Sequence, residues 1–180
     1  MNRMIGFLIL TIVIASCKKA DEVIDNFTHF NYATDYVVKV PASPVAAVPV
    51  DFLTPDIATQ SDVAFSSNRT RADLVRKVVL ETLVLSVKSP QGGNLQFLKS
   101  VSIYARAEGL PEVKVAYKDA VPDNVGATLA LDVTGADLAE YFKKSKYQLR
   151  INVVSDQVVA EDYEVNSHAE FFIDAKLLGE

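Results

Sequence analysis

The residues in this chain of 180 whose types could do chemistry are few, and the densest group lies near the C-terminus. Asp162, Glu164, His168 and Glu170 fall on even positions, with Asn166 between them. On a strand that spacing puts every side chain on one face, with i, i+2 neighbours about 7 Å apart. A carboxylate–imidazole–carboxylate row has the donor chemistry to bind a divalent metal. Zinc, however, takes three or four ligands converging at about 2 Å, and one flat strand does not bring its side chains to a point. The row therefore reads first as the solvated outer face of a strand. His168, Glu170 and Glu164 are the candidate metal ligands, should other elements close over them. His29, the only other histidine, reaches His168 only if the first and last strands adjoin. A metal-dependent hydrolase would need that convergence.

Other catalytic patterns are missing. Ser86, Ser102 and Ser155 have no Gly-x-Ser-x-Gly context, so no nucleophile elbow is expected. Gln91-Gly92-Gly93-Asn94 is a glycine pair in a turn with no Lys-Ser or Lys-Thr after it, unlike a phosphate loop. Asp156-Gln157 falls in a turn between the last two strands. Cys17 is the one cysteine, which excludes an internal disulfide, and thiol catalysis or a cysteine metal site is not proposed for it. No cofactor is implied. The net charge of −5 disfavours nucleic acid and anionic headgroups as partners. Trp is absent, which weakens a sugar-stacking surface but leaves Tyr and Phe for that role.

The elements that must position these residues read mostly as strands. Phe30, Tyr32, Tyr36, Val38 and Val40 share one parity and Asn31, Asp35 and Lys39 the other, the alternation of a half-buried strand. The aromatics near this strand, Phe27 included, read as core-facing. Pro41, Pro44 and Pro49 mark an edge or loop. Val48 to Leu53 is a short strand, and Pro55 to Ser67 a loop with one more extended piece. Thr70-Arg71-Ala72-Asp73-Leu74 has the form of a capping box opening a short helix to about Lys77. Val78 to Lys88 is apolar on both parities, which predicts a central strand covered on both sides over part of its length. Runs around Val101 to Ala105 and Val113 to Tyr117, joined across a turn at Glu108-Gly109-Leu110-Pro111, read as a hairpin or adjacent strands, and Leu129 to Val133 is another strand. Thr134-Gly135-Ala136-Asp137-Leu138 repeats the Thr-x-Ala-Asp-Leu of residues 70–74 and again opens a helix, with Leu138, Tyr141 and Phe142 toward a core. Tyr147 to Val153 and Tyr163 to Ile173 alternate as the last two strands, Ser167 interrupting the apolar set. Seven to nine strands at this spacing, with connections too short for βαβ crossovers, predict a mainly β fold. The expected architecture is an antiparallel, immunoglobulin-like β-sandwich with one or two short helices.

The N-terminus carries a different signal. Arg3 precedes the apolar run Ile5 to Ile14, then come the small Ala15 and Ser16, then Cys17. A run this short suits a signal core rather than a spanning helix, which needs about 20 residues. Ile14-Ala15-Ser16-Cys17 resembles the lipobox of bacterial envelope lipoproteins. The resemblance implies that residues 1–16 are removed, that Cys17 receives a diacylglyceryl group and further acylation, and that residues 17–26 tether a single domain over 27–180. The charged Lys18, Lys19, Asp21 and Glu22 resemble signals that direct such proteins to the outer membrane of a Gram-negative envelope. The strand and helix pattern from Thr70 to Lys176 also resembles the water-stress and late-embryogenesis β-sandwich family, to which no functional residue is matched. The expectation is a lipid-anchored, non-catalytic binding or accessory module, its partners the membrane through Cys17 and an envelope protein. The alternative is a carrier or sensor of a small apolar ligand between the sheets, which needs a cavity of some hundreds of Å3.

Overall fold

The computed structural model describes residues 29–43 and 48–177. Cys17, the signal core, the tether and Phe27 lie outside the described residues. The chain forms β1 (His29–Val40), β2 (Pro49–Leu53), β3 (Ile57–Ala58), α1 (Ser61–Ser67), a 3-10 turn (Ala72–Leu74), β4 (Val75–Ser89), β5 (Leu98–Arg106), β6 (Val113–Lys118), β7 (Thr128–Ala130), β8 (Asp132–Val133), α2 (Ala139–Phe142), β9 (Lys146–Ser155) and β10 (Tyr163–Ala175). One sheet has the order β1-β10-β4-β7. The other runs β2-β9-β5-β6-β8, with β3 also on β9, and every pairing is antiparallel. This is the antiparallel β-sandwich expected from the alternation, with two short helices.

Period-two burial explains why the pattern was legible. On β10 the inward residues Val165, Ser167, Ala169, Phe171, Ile173 and Ala175 are all buried. Ser167 continues this set instead of interrupting it. Val101, Ile103 and Ala105 of β5 and Ile151 and Val153 of β9 face them from the second sheet. The strand expected over Leu129 to Val133 is split. Its first half, β7, pairs with β4, and its second half, β8, pairs with β6, so the chain passes from one sheet to the other at buried Leu131.

The two apolar parities of β4 have a cause other than two-sided cover. Against β10, β4 carries an extra residue at three places: Lys88, Glu81 and Arg76. Each bulge lets two residues oppose one, which flips the parity of everything beyond it. Leu83 and Leu85 point inward on odd positions, Val78 and Leu80 on even ones, and Val75 on odd again. Each extra residue is charged and exposed, and the Arg76 guanidinium turns back to donate to Asp174 Oδ1 on β10 at 3.2 Å through Nε. Val79 and Val84 remain half-buried on the other side.

Neither Thr-x-Ala-Asp-Leu stretch forms a capping box. Thr70 Oγ1 instead donates to the Lys176 carbonyl at 2.6 Å, and Asp73 pairs with Arg71. Thr134 Oγ1 donates to the Lys114 carbonyl at 2.8 Å. In both copies the hydroxyl ties the incoming chain to a residue distant in sequence, Lys176 just after β10 and Lys114 in β6. Asp137 does act at a helix start, since its Oδ1 accepts from Ala139 N at 3.0 Å and from Val78 N at 3.1 Å. The loop expected over Pro55 to Ser67 contains α1, which buries Phe65 and Ser61.

Candidate functional site

The acid–histidine row lies where the alternation puts it, on the outer face of β10. Its partners come from β1, which runs antiparallel alongside. His168 sits directly opposite Asp35, with Nδ1 3.0 Å from Asp35 Oδ1. That oxygen also accepts from Asn166 Nδ2 at 2.8 Å. His168 Nε2 lies 3.5 Å from Glu170 Oε1, and Thr82 Oγ1 donates to Glu170 Oε2 at 3.3 Å. Glu164 faces Lys39 at 3.7 Å. Asp162 is turned away from the row and accepts from Ala42 N at 2.8 Å.

The first and last strands do adjoin, but the two histidines do not meet. The register sets His29 opposite Asp174, with Nε2 3.5 Å from Oδ1. Six residues of β10, about 20 Å, separate that pair from His168. Among the described residues no group of three or more His, Cys, Asp or Glu is placed to hold a metal ion. Both ring nitrogens of His168 face carboxylates, an arrangement that favours the imidazolium. The hydrogen bond to Asp35, with Glu170 adding to it, raises the His168 pKa above its ordinary value. Hydrogen bonds from Asn166 and then His168 hold the Asp35 carboxyl below its usual range.

The result is a charged seam. His29–Asp174, Asp35–His168 and Lys39–Glu164 are each directly opposite in register. Slipping β1 by two residues to set Asp35 opposite Glu170 would put two carboxylates together. Like charges directly opposite are destabilising, so the seam disfavours that slip. The pairs are largely solvent-exposed, Asp174 being half-buried, and each contributes little to net stability. Composition gave no hint of the seam because its two halves are more than 120 residues apart; only the shared parity of His29, Asp35 and Lys39 carried it.

The second sheet bears a comparable network on its outer face. Arg150 donates to Glu112 through Nε and Nη2, and to Asp51 through Nη1 at 2.8 Å, while its guanidinium lies 4.0 Å from the centre of the Tyr104 ring. These two carboxylates raise the Arg150 pKa, and Arg150 in turn lowers that of Glu112. The guanidinium is saturated by its own protein, which leaves it little capacity for an anionic ligand.

Between the sheets lies an apolar cavity of about 40 Å3, lined by residues that include Val38, Leu85, Ile103, Ile151 and Ser167. It is far smaller than the some hundreds of Å3 that an apolar-ligand carrier needs. At the other extreme in polarity is a cleft of about 230 Å3 where the turn before β5 meets the β9–β10 loop. Asn94, Gln96, Gln157, Glu161 and Tyr163 are in its wall.

No family model matches the chain, and no curated protein matches it. Among solved structures it is similar to a chain of turnip yellow mosaic virus, at 9% identity and a TM-score of 0.29, covering 84% of this chain and 97% of that one. A chain of Desmodium yellow mottle tymovirus is similar at 8% identity and a TM-score of 0.25, covering 100% and 93%. At such scores neither likeness bears on function.

Proposed function

We propose that the protein is a lipid-anchored lipoprotein of a bacterial envelope, held in the outer membrane through Cys17, whose β-sandwich serves as a non-catalytic binding or accessory module. The observation that carries the reading is the order of Arg3, the apolar run Ile5 to Ile14, Ala15-Ser16 and Cys17. Acyl chains contribute about 0.8 kcal/mol per buried CH2, and two or more give stable anchoring. Residues 18–28 then separate the anchor from His29, a reach of at most roughly 40 Å when extended. The His168–Asp35 hydrogen bond ties β10 to β1, and the binding-module part of the reading rests on the anchor together with the β-sandwich.

Metabolic labelling with an alkyne fatty acid tests the anchor. The mature chain is expected to begin at Cys17, to carry label, and to leave the membrane fraction when Cys17→Ala is introduced. A mature chain that begins elsewhere, or an unlabelled one, overturns the anchor reading. Crosslinking in native membranes followed by purification tests the module reading. A stoichiometric envelope partner that disappears with Cys17→Ala supports it, and its absence removes the accessory role.

A further inference from the structure

The cleft at the β9–β10 end is assembled from two turns that the seam and the core leave unused. On one side stand Asn94, Gln96 and Phe97, after the Gly92-Gly93 turn. On the other stand Gln157 to Glu161, leading into Tyr163 at the start of β10. We propose that this cleft binds one neutral, hydroxyl-rich ring, a pyranose either free or at the end of a glycan.

Four independent ties hold the second turn in place. Asp156 N donates to the Phe97 carbonyl at 3.2 Å, and Gln157 Nε2 to the Gln96 carbonyl at 3.4 Å. Val159 exchanges two backbone hydrogen bonds with Ser43, and Asp162 accepts from Ala42 N. The cleft is thus formed before any ligand arrives, which removes much of the ordering cost of binding. Its aromatic floor is equally fixed. The Tyr163 and Phe97 rings lie 4.9 Å apart at 59°, and a Cβ on Gly93 would come within 3.1 Å of the Tyr163 ring and 2.9 Å of the Pro90 carbonyl oxygen. A side chain at 93 would collide with the Pro90 carbonyl and press the Tyr163 ring outward by a few tenths of an ångström.

The wall chemistry selects the ligand by elimination. Among the described residues, Glu161 is the one charged side chain in the wall. No lysine, arginine or histidine is there to receive an anion. Val158, Val159 and Ala160 also line the cleft, but its exposed lining is mainly polar and makes a poor surface for an apolar ligand. A carboxamide presents donor and acceptor side by side, the match for a hydroxyl that does both. Asn94 uses its oxygen for Gln96 N and Gln157 its nitrogen for the Gln96 carbonyl. The Asn94 amide nitrogen and the Gln157 amide oxygen therefore have no partner among the described residues. They supply one donor and one acceptor, Glu161 supplies two more acceptors, and half-exposed Tyr163 offers a ring for C–H contact. The volume of about 230 Å3 falls below the roughly 300–1,000 Å3 of drug-sized pockets, so it fits a single ring rather than an extended chain.

The test is saturation-transfer NMR on the full chain in a detergent with no sugar head group. The probes are methyl glucoside, methyl galactoside, methyl mannoside and N-acetylglucosamine, each beside its trisaccharide. At least one is expected to receive saturation, and binding should weaken roughly tenfold in Gln157→Ala and in Glu161→Ala, which each remove hydrogen bonds. Binding should persist in Glu81→Ala, a bulge residue outside the cleft wall. A monosaccharide that binds as well as its trisaccharide identifies a free sugar, and a clear trisaccharide preference identifies a chain end. Lack of transfer to any probe up to about 20 mM, beyond the useful weak range, overturns the proposal, as does binding that ignores both cleft variants. The outcome is independent of Cys17, so failure here leaves the anchor reading untouched.

Discussion

At one end of the sandwich Tyr32, Phe142 and Phe171 close on one another, with ring centres 4.9 to 6.3 Å apart. Burial, with Tyr32 and Tyr36 alongside, pushes the Tyr147 phenol next to them up to about 12. At the other end, eight residues or about 27 Å along β10, Phe97 and Tyr163 make one ring contact and stop. Amide side chains take over from there. At the closed end buried Phe171 packs under two half-buried rings, Tyr32 and Phe142, and all three serve the core. The open end spends one on the core and leaves the other half-exposed at the edge of a polar cleft. In one sandwich, then, the same residue class builds a plug and the floor of a pocket, and the neighbouring loops decide which.

That contrast can be broken most strongly at the plug. Phe171→Ala is expected to cost about 3–5 kcal/mol, measured by chemical denaturation, while Tyr163→Ala costs about 1–2 kcal/mol as a half-exposed change. Equal costs would erase the difference between the ends. Next in size, Gly93→Ala should cost about 1–3 kcal/mol by overpacking and shift the Tyr163 ring resonances. An unaltered Tyr163 environment would mean that the glycine does not set the floor. Midway between the ends, Asp35→Asn should lower the His168 pKa, read by NMR titration of the imidazole. The sign follows from the direction of the shift. A raised folded pKa gives stability that is present below the unfolded value, about 6.5, and is lost as pH rises through the folded value. Asp35, whose pKa is lowered, contributes above its unfolded value and loses that contribution as pH falls through the folded one. The smallest expected effect is that of Gln157→Ala, within about 0.5 kcal/mol in stability. A larger loss would make the open end structural too.

The strands could be read from the sequence wherever one face is wet, because burial then writes period two into β1, β5, β9 and β10. Three features could not. The parity of β4 changes at Arg76, Glu81 and Lys88, and a bulge leaves no local mark except a charged residue in an apolar run. Helix α1, Ser61-Asp-Val-Ala-Phe-Ser-Ser, is made of mediocre helix formers and follows Gln60 at φ 49°; burial of Phe65 holds it. Thr70 looks like a cap and is recruited by Lys176, 106 residues away. The candidate sites fail to show for the same reason. His168 is plain in the sequence, but its partner Asp35 lies 133 residues earlier. The cleft joins Gln96 to Gln157 across 61 residues. Local pattern reports which face a side chain occupies, not which neighbour it meets there.

The antiparallel pairing of β1 with β10 also sets how the molecule bears force. A pull entering at His29 and leaving at Ala175 acts on opposite ends of a single rung. It would open the ladder like a zipper, with His29–Asp174 first and each later pair carrying the load alone. A pull entering at His29 and leaving at Tyr163 acts along the whole length of the strand, so twelve residue pairs share it in shear. A weight hung near Tyr163 would therefore be held far more firmly than the same weight hung from the C-terminal end of β10.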